Sequence, residues 1–127
     1  MKTAAGISKH IAVFRLDSAI SSTTDPAVRF TAKQNMTMLA LRVSPLTEFD
    51  RTTGDETYVA SLADDGTKIS TDNGAVTTAA KTSTIESTFA AATRTVAAES
   101  IVTITLTLGG TTPIIPAGSV IELEWAE

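Results

Sequence analysis

Ile101-Val102-Thr103-Ile104-Thr105-Leu106-Thr107-Leu108 alternates without a break, with Val102, Ile104, Leu106 and Leu108 on one side of an extended chain and Thr103, Thr105 and Thr107 on the other. A helical repeat would spread the same four aliphatic side chains around the helix instead of gathering them on one face. The branched Cβ of threonine restricts χ1 and fits a pleated surface better than a helix. The stretch predicts a half-buried strand with an apolar face toward a core and a threonine face outward.

Downstream, Gly109-Gly110 and Pro113 to Pro116-Ala117-Gly118 break the pattern before Val120-Ile121-Glu122-Leu123-Glu124-Trp125 resumes it, with Ile121, Leu123 and Trp125 inward. Upstream, Met36 to Val43 places Leu39, Leu41 and Val43 on one face and stops at Pro45. Thr57-Tyr58-Val59-Ala60-Ser61-Leu62 runs into Asp64-Asp65-Gly66, a turn signal because Asp tolerates and Gly favours positive φ, and Lys68-Ile69-Ser70 is expected to pair back. Asp72-Asn73-Gly74 predicts a further turn ahead of Ala75-Val76-Thr77. Val28 to Ala32 and Ile11 to Leu16 supply two more strand candidates.

Residues 83–98 carry two periodicities. Ile85, Phe89, Ala92 and Val96 recur at helical spacing behind a Ser83-Thr84-Ile85-Glu86 capping box. Ile85, Ser87 and Phe89 also alternate, in a run that holds Thr82, Thr84, Thr88, Thr93 and Thr95, and this favours two strands, Thr84 to Phe89 and Thr93 to Val96. About eight short antiparallel strands, separated by turn signals at roughly ten-residue intervals with no long helix, describe an all-β, jelly-roll-like β-sandwich. The sandwich is assigned to residues 28–127. Residues 1–27, where the polar run Asp17 to Pro26 reads as a linker, form an N-terminal arm or a first strand followed by that linker.

With 127 residues, 43% hydrophobic and 19% charged, the chain has the composition of one globular domain, and no apolar run approaches the roughly 20 residues of a membrane helix. It contains no cysteine, which removes disulfides, thiolate metal sites and a cysteine nucleophile. A net charge of −4 without a Lys/Arg block argues against a nucleic-acid partner. The start, Met1 to His10, has no apolar core of a secretory signal.

The single histidine, His10, leaves a catalytic triad or a His-based metal site without partners and reads as a surface residue. Glu48, Asp50, Asp55, Glu56, Asp64, Asp65 and Asp72 lack the spacing of a calcium loop and read as solvated turns. Aromatic side chains are too few for a sugar platform, and Trp125, Phe30 and Phe89 are assigned to the core. No glycine-rich loop precedes a helix, and Asn35-Met36-Thr37 is a chance sequon. These readings predict a non-enzymatic protein with no metal and no cofactor.

From about Val28 to Trp125 the chain resembles the small jelly-roll decoration, cement and head-fibre proteins of tailed bacteriophages. The resemblance runs through Phe30-Thr31-Ala32, Met38 to Val43, Tyr58 to Gly66, the Thr/Ser-rich middle, Val96-Ala97-Ala98-Glu99-Ser100, the alternating Val102 to Leu108, Gly110-Thr111-Thr112-Pro113 and Val120 to Trp125. The sequence departs from that pattern at Glu99-Ser100, where Gly-Asp is usual, and in the added residues 1–27.

The resemblance implies a structural protein on the capsid exterior of a virion, made in the host bacterial cytoplasm, that bridges major capsid protein subunits as a homotrimer and touches neither nucleic acid nor membrane. Thr-rich strand faces with few charges, and Val120 beside Glu122, suit a homo-oligomer. Ile11, Val13, Phe14 and Leu16 form the expected capsid-binding set, on an arm that adds to a neighbour's sheet edge or lies in a groove between subunits. The alternative is a receptor- or glycan-binding domain of a phage fibre or tail tip, using loops such as Thr47 to Glu56 or Thr111 to Gly118.

Overall fold

The computed structural model describes residues 9–21, 24–44, 57–71, 85–110 and 114–127. Ten strand segments follow one another: β1 (Lys9–Arg15), β2 (Thr24–Thr31), β3 (Met36–Ser44), β4 (Thr57–Asp64), β5 (Thr67–Lys68), β6 (Ser70–Thr71), β7 (Ile85–Phe89), β8 (Thr95–Val96), β9 (Ile101–Gly109) and β10 (Val120–Ala126). All pair antiparallel, in one sheet of order β1-β10-β3-β7-β6, with β8 also on β3, and a second of order β2-β9-β4-β5. Read β5/β6 and β7/β8 as two interrupted strands, and the sheets become first-eighth-third-sixth over second-seventh-fourth-fifth. That is the pair of Greek keys of a jelly roll.

The deciding stretch behaves as its alternation requires. Val102, Ile104, Leu106 and Leu108 are buried and the threonines between them face outward on β9, the central strand between β2 and β4. Burying each such aliphatic side chain stabilises the fold by about 1.5–3 kcal/mol relative to exposure. Opposite them stand Ile121 and Leu123 of β10 and Leu41 and Val43 of β3, all fully buried, with Tyr58 and Leu62 of β4 closing the core. Burial pushes the Tyr58 hydroxyl well above its usual range. Trp125, Phe30 and Phe89 are only partly buried and pack against this core.

Residues 85–98 form two short strands, β7 and β8, and no helix. β7 lies against β3 and β6, and Val96 is fully buried opposite Met36, so both segments serve sheet pairing. On β3 the expected face is displaced. Ala40 pairs with Glu124 but Met38 with Trp125, so Leu39 is an extra residue, a β-bulge. Below the bulge Met36 and Met38 point inward; above it Leu41 and Val43 do, while Leu39 is half-buried.

The Asp64-Asp65-Gly66 turn signal is found where it was expected and does more than reverse the chain. Asp65 (φ 47°) and Gly66 (φ 88°) make the two-residue hairpin of β4 and β5, with Asp64 opposite Thr67. The return does not stay in one sheet: β5 pairs β4, Ile69 intervenes, and β6 pairs β7 of the other sheet. At Glu99 the backbone is left-handed with φ 75°. A side chain there adopts a glycine's conformation, clamped by Glu99 N–H to the Ala32 carbonyl at 2.7 Å and by Ala98 N–H to Asn35 Oδ1 at 2.9 Å.

The sheets begin ahead of residue 28. β1 runs antiparallel to β10 from Lys9 opposite Ala126 to Arg15 opposite Val120, and β2 starts at Thr24. Between them Ile20 is buried and exchanges two backbone hydrogen bonds of 2.9 Å with Ile115, so the polar run is pinned at that point. Asp72 to Thr77 and Glu48 to Glu56 lie outside the described residues.

Candidate functional site

β1 is the rim of the larger sheet. Leu16 donates its N–H to the Ser119 carbonyl at 2.9 Å and accepts from Gly118 N–H at 2.7 Å. In an antiparallel ladder the direction of the backbone groups alternates, so His10, Ala12 and Phe14 also turn theirs to β10. Lys9, Ile11, Val13 and Arg15 turn theirs to the free edge, where no described strand pairs with them.

The same four side chains occupy the outer face. Ile11 and Val13 are each 59% exposed, the largest exposures among the large hydrophobic side chains of the described residues. Arg15 and Lys9 bracket them, and Lys9 Nζ lies 3.7 Å from Glu124 Oε1. The outer face inland of this edge is neutralised by its own charges: Arg42 donates from Nη2 to Glu124 Oε2 and from Nε to Glu86 Oε2, both at 2.8 Å. Those bonds raise Arg42, and the bond from Arg42 holds Glu124 below the usual carboxylate range.

On the inner side, β1 and β2 gape. A groove of about 280 Å³ lies between them, walled by Ala12, Phe14, Phe30, Met36 and Trp125, with Lys33 at its rim. Phe14 stacks on Phe30 with centroids 5.8 Å apart, and His10 stacks on Trp125 at 4.4 Å. Ala12, between the two stacks, is the small residue that leaves the space. β2, the facing rim, carries Pro26 and a register shift between Asp25 and Val28, two features that blunt an edge. β1 has neither.

The expected binding set is split by the strand's period of two. Ile11 and Val13 face outward, Phe14 is half-buried against Phe30, and Leu16 is in the core, so the four share no common surface. What sequence reasoning missed is the groove, because Ala12 and Trp125 are 113 positions apart and meet only through the β1–β10 pairing. His10 Nε2 is 4.0 Å from Glu127 Oε1 and makes no hydrogen bond to a described residue. Asp65 Oδ1 accepts from Ile101 N–H at 2.7 Å. Among the described residues, no three His, Asp or Glu side chains gather closely enough to hold a metal ion.

No family model matches the sequence, and no curated protein sequence does either. Solved structures do. A chain in the structure of infectious bursal disease virus, Gx strain, superposes with a TM-score of 0.50 at 14% identity, over 94% of this chain and 38% of that one. This chain thus spans well under half of the length of that relative. A chain of the acid-stable capsid of Helicobacter pylori bacteriophage KHP30 gives 0.41 at 13% identity, over 95% of this chain and 87% of that one. The C-terminal domain of EclA, a sugar-binding protein, gives 0.34 at 12% identity, over 94% and 79%. At such identities the likeness is one of fold, and the first of the three carries it.

Proposed function

We propose that the chain is a non-enzymatic structural protein of a virion: a decoration or cement subunit on the outside of a phage head, bridging major capsid proteins as a homotrimer. The observation that carries this reading is the rim strand β1 of a jelly roll, with Ile11 and Val13 exposed on an edge that no described strand covers. A free-standing domain blunts such an edge, whereas a subunit that lives on a larger assembly covers it there. The jelly roll is a fold of virus shells, and a chain of one virus structure shares it. Trimerisation lets modest contacts act together, since after the first the others are effectively intramolecular.

The test adds the purified protein to heads assembled from the major capsid protein encoded in the same genome and sediments them. Co-sedimentation that saturates at a fixed ratio, with heads that disrupt at a higher temperature, is expected. Heads that sediment alone at tens of micromolar protein, on the order of a −6 kcal/mol threshold, overturn the reading.

A further inference from the structure

We infer that β1 is an acceptor for strand addition: an extended segment of a partner protein pairs antiparallel with the edge that no described strand occupies. On the outer face the segment reads acidic, apolar, apolar, acidic; on the inner face it places a large apolar side chain opposite Ala12. The inference rests on the shell reading only for where that partner resides.

Three observations converge on this edge. The backbone groups of Lys9, Ile11, Val13 and Arg15 point away from β10, which gives an incoming strand its main-chain hydrogen bonds. Residues of an added strand directly opposite Ile11 and Val13 lie beside them on the outer face, within reach of cross-strand packing. Residues opposite His10, Ala12 and Phe14 enter the groove between β1 and β2, and the one opposite Ala12 meets the open space between the two aromatic stacks. Backbone bonds supplying affinity and pockets for alternate side chains supplying specificity are the two parts of β-augmentation.

Charge selects the occupant. The antiparallel register in which a second copy of β1 overlaps all of Lys9–Arg15 sets Lys9 against Arg15 at both ends, and directly opposed like charges destabilise a strand pair. A segment with carboxylates at those two positions meets both cations and leaves the apolar pair between them.

The experiment uses the full chain and a capped synthetic peptide, Glu-Ala-Val-Leu-Val-Thr-Glu, read through Trp125, the only tryptophan and a wall of the groove. A saturable blue shift is expected, and the same peptide with lysine at both ends is expected to bind at least about tenfold more weakly. Val13→Pro removes an edge N–H where proline is tolerated, and is expected to weaken binding at least about tenfold while the thermal midpoint stays within a few degrees. The double variant Lys9→Glu/Arg15→Glu, altered only at exposed positions, is expected to reverse the preference between the two peptides.

No binding of the acidic peptide up to about 1 mM, or equal binding of both peptides, overturns the inference. So does a dimer in light scattering that Val13→Pro dissolves, since a second copy is then the occupant. Val13→Pro protein that decorates heads as well as the parent removes the edge and leaves the shell reading standing. Peptide binding without head binding does the reverse.

Discussion

On one side of the sandwich β4 turns alternate backbone groups away from β9 and finds partners there. Leu62 N–H donates to Ser70 Oγ at 2.8 Å, Ser87 Oγ donates to the Ala60 carbonyl at 2.7 Å, and Ile69 N–H reaches the Leu62 carbonyl at 3.0 Å. Both serines are buried, and they belong to β6 and β7 of the other sheet. On the opposite side β1 turns alternate backbone groups away from β10 and meets no described partner. Two strands of similar length and pattern thus end in a sealed corner and a bare rim. What separates them is two hydroxyls, Ser70 on the strand that changes sheets at Ile69 and Ser87 on the β7 strand paired with it. Sealing is therefore a property of topology, and the open rim is a difference that single substitutions can probe.

The largest expected effect lies on the sealed side. Leu62→Ala removes a fully buried side chain from β4 and is expected to destabilise by about 2–5 kcal/mol, whereas Ile11→Ala at the rim is expected to change stability by less than about 0.5 kcal/mol. Urea unfolding of both variants measures the contrast, and comparable losses would mean that β1 is packed as deeply as β4.

Next come the hydroxyls themselves. Ser87→Ala orphans the Ala60 carbonyl and Ser70→Ala the Leu62 N–H, each expected to cost about 1–3 kcal/mol. Because both act on neighbouring positions of one strand, the double variant is expected to lose less than the sum. Strict additivity in a double-mutant cycle would show that the corner is not a unit.

Glu99→Gly is expected to stabilise by about 0.5–1 kcal/mol, since relief of a left-handed side chain outweighs glycine's added freedom when unfolded. A lowered midpoint would mean that the Glu99 side chain makes a contact worth more than its backbone strain.

An effect of similar size concerns the face inland of the rim. Glu124 is held below its ordinary range by Arg42, so its contribution is complete above the unfolded-state value near 4.3 and is lost as pH falls through the lower folded value. The pair is partly exposed and screened, and Glu124→Gln is expected to cost about 0.5–1 kcal/mol at pH 7 and to flatten the acid limb of the stability profile below about pH 4. An unchanged acid limb would assign it to other carboxylates.

Much of the fold was legible because strands with one buried face carry their own address. β9 and β10 could be read from alternation, the β4–β5 hairpin from Asp65-Gly66, and the two-strand reading of residues 83–98 from threonine content against a competing helical period. The β3 bulge escaped because Leu39-Ala40-Leu41 is apolar at three consecutive positions, so alternation cannot say where the extra residue sits. The rim escaped for a deeper reason. Alternation records which face of a strand is buried, but whether its edge is covered depends on strand order, and β1 finds its neighbour at the far end of the chain. Pro26 likewise reads as a linker signal although it lies within β2, because an edge strand tolerates a missing N–H.

That long-range pairing governs when the larger sheet closes during synthesis. β1 leaves the ribosome more than 100 residues ahead of β10, so at about 5–20 residues per second its pairing partner arrives roughly 5–20 s later. Closing so long a loop comes late in folding, after the contacts of the hairpins nearer in sequence. Through that interval the apolar Ile11, Val13 and Phe14 have no β10 to pair with. A nascent chain stalled before residue 120 would lack Ile121 and Leu123 from its core and leave the slot beside β3 open to a β10 strand supplied in trans.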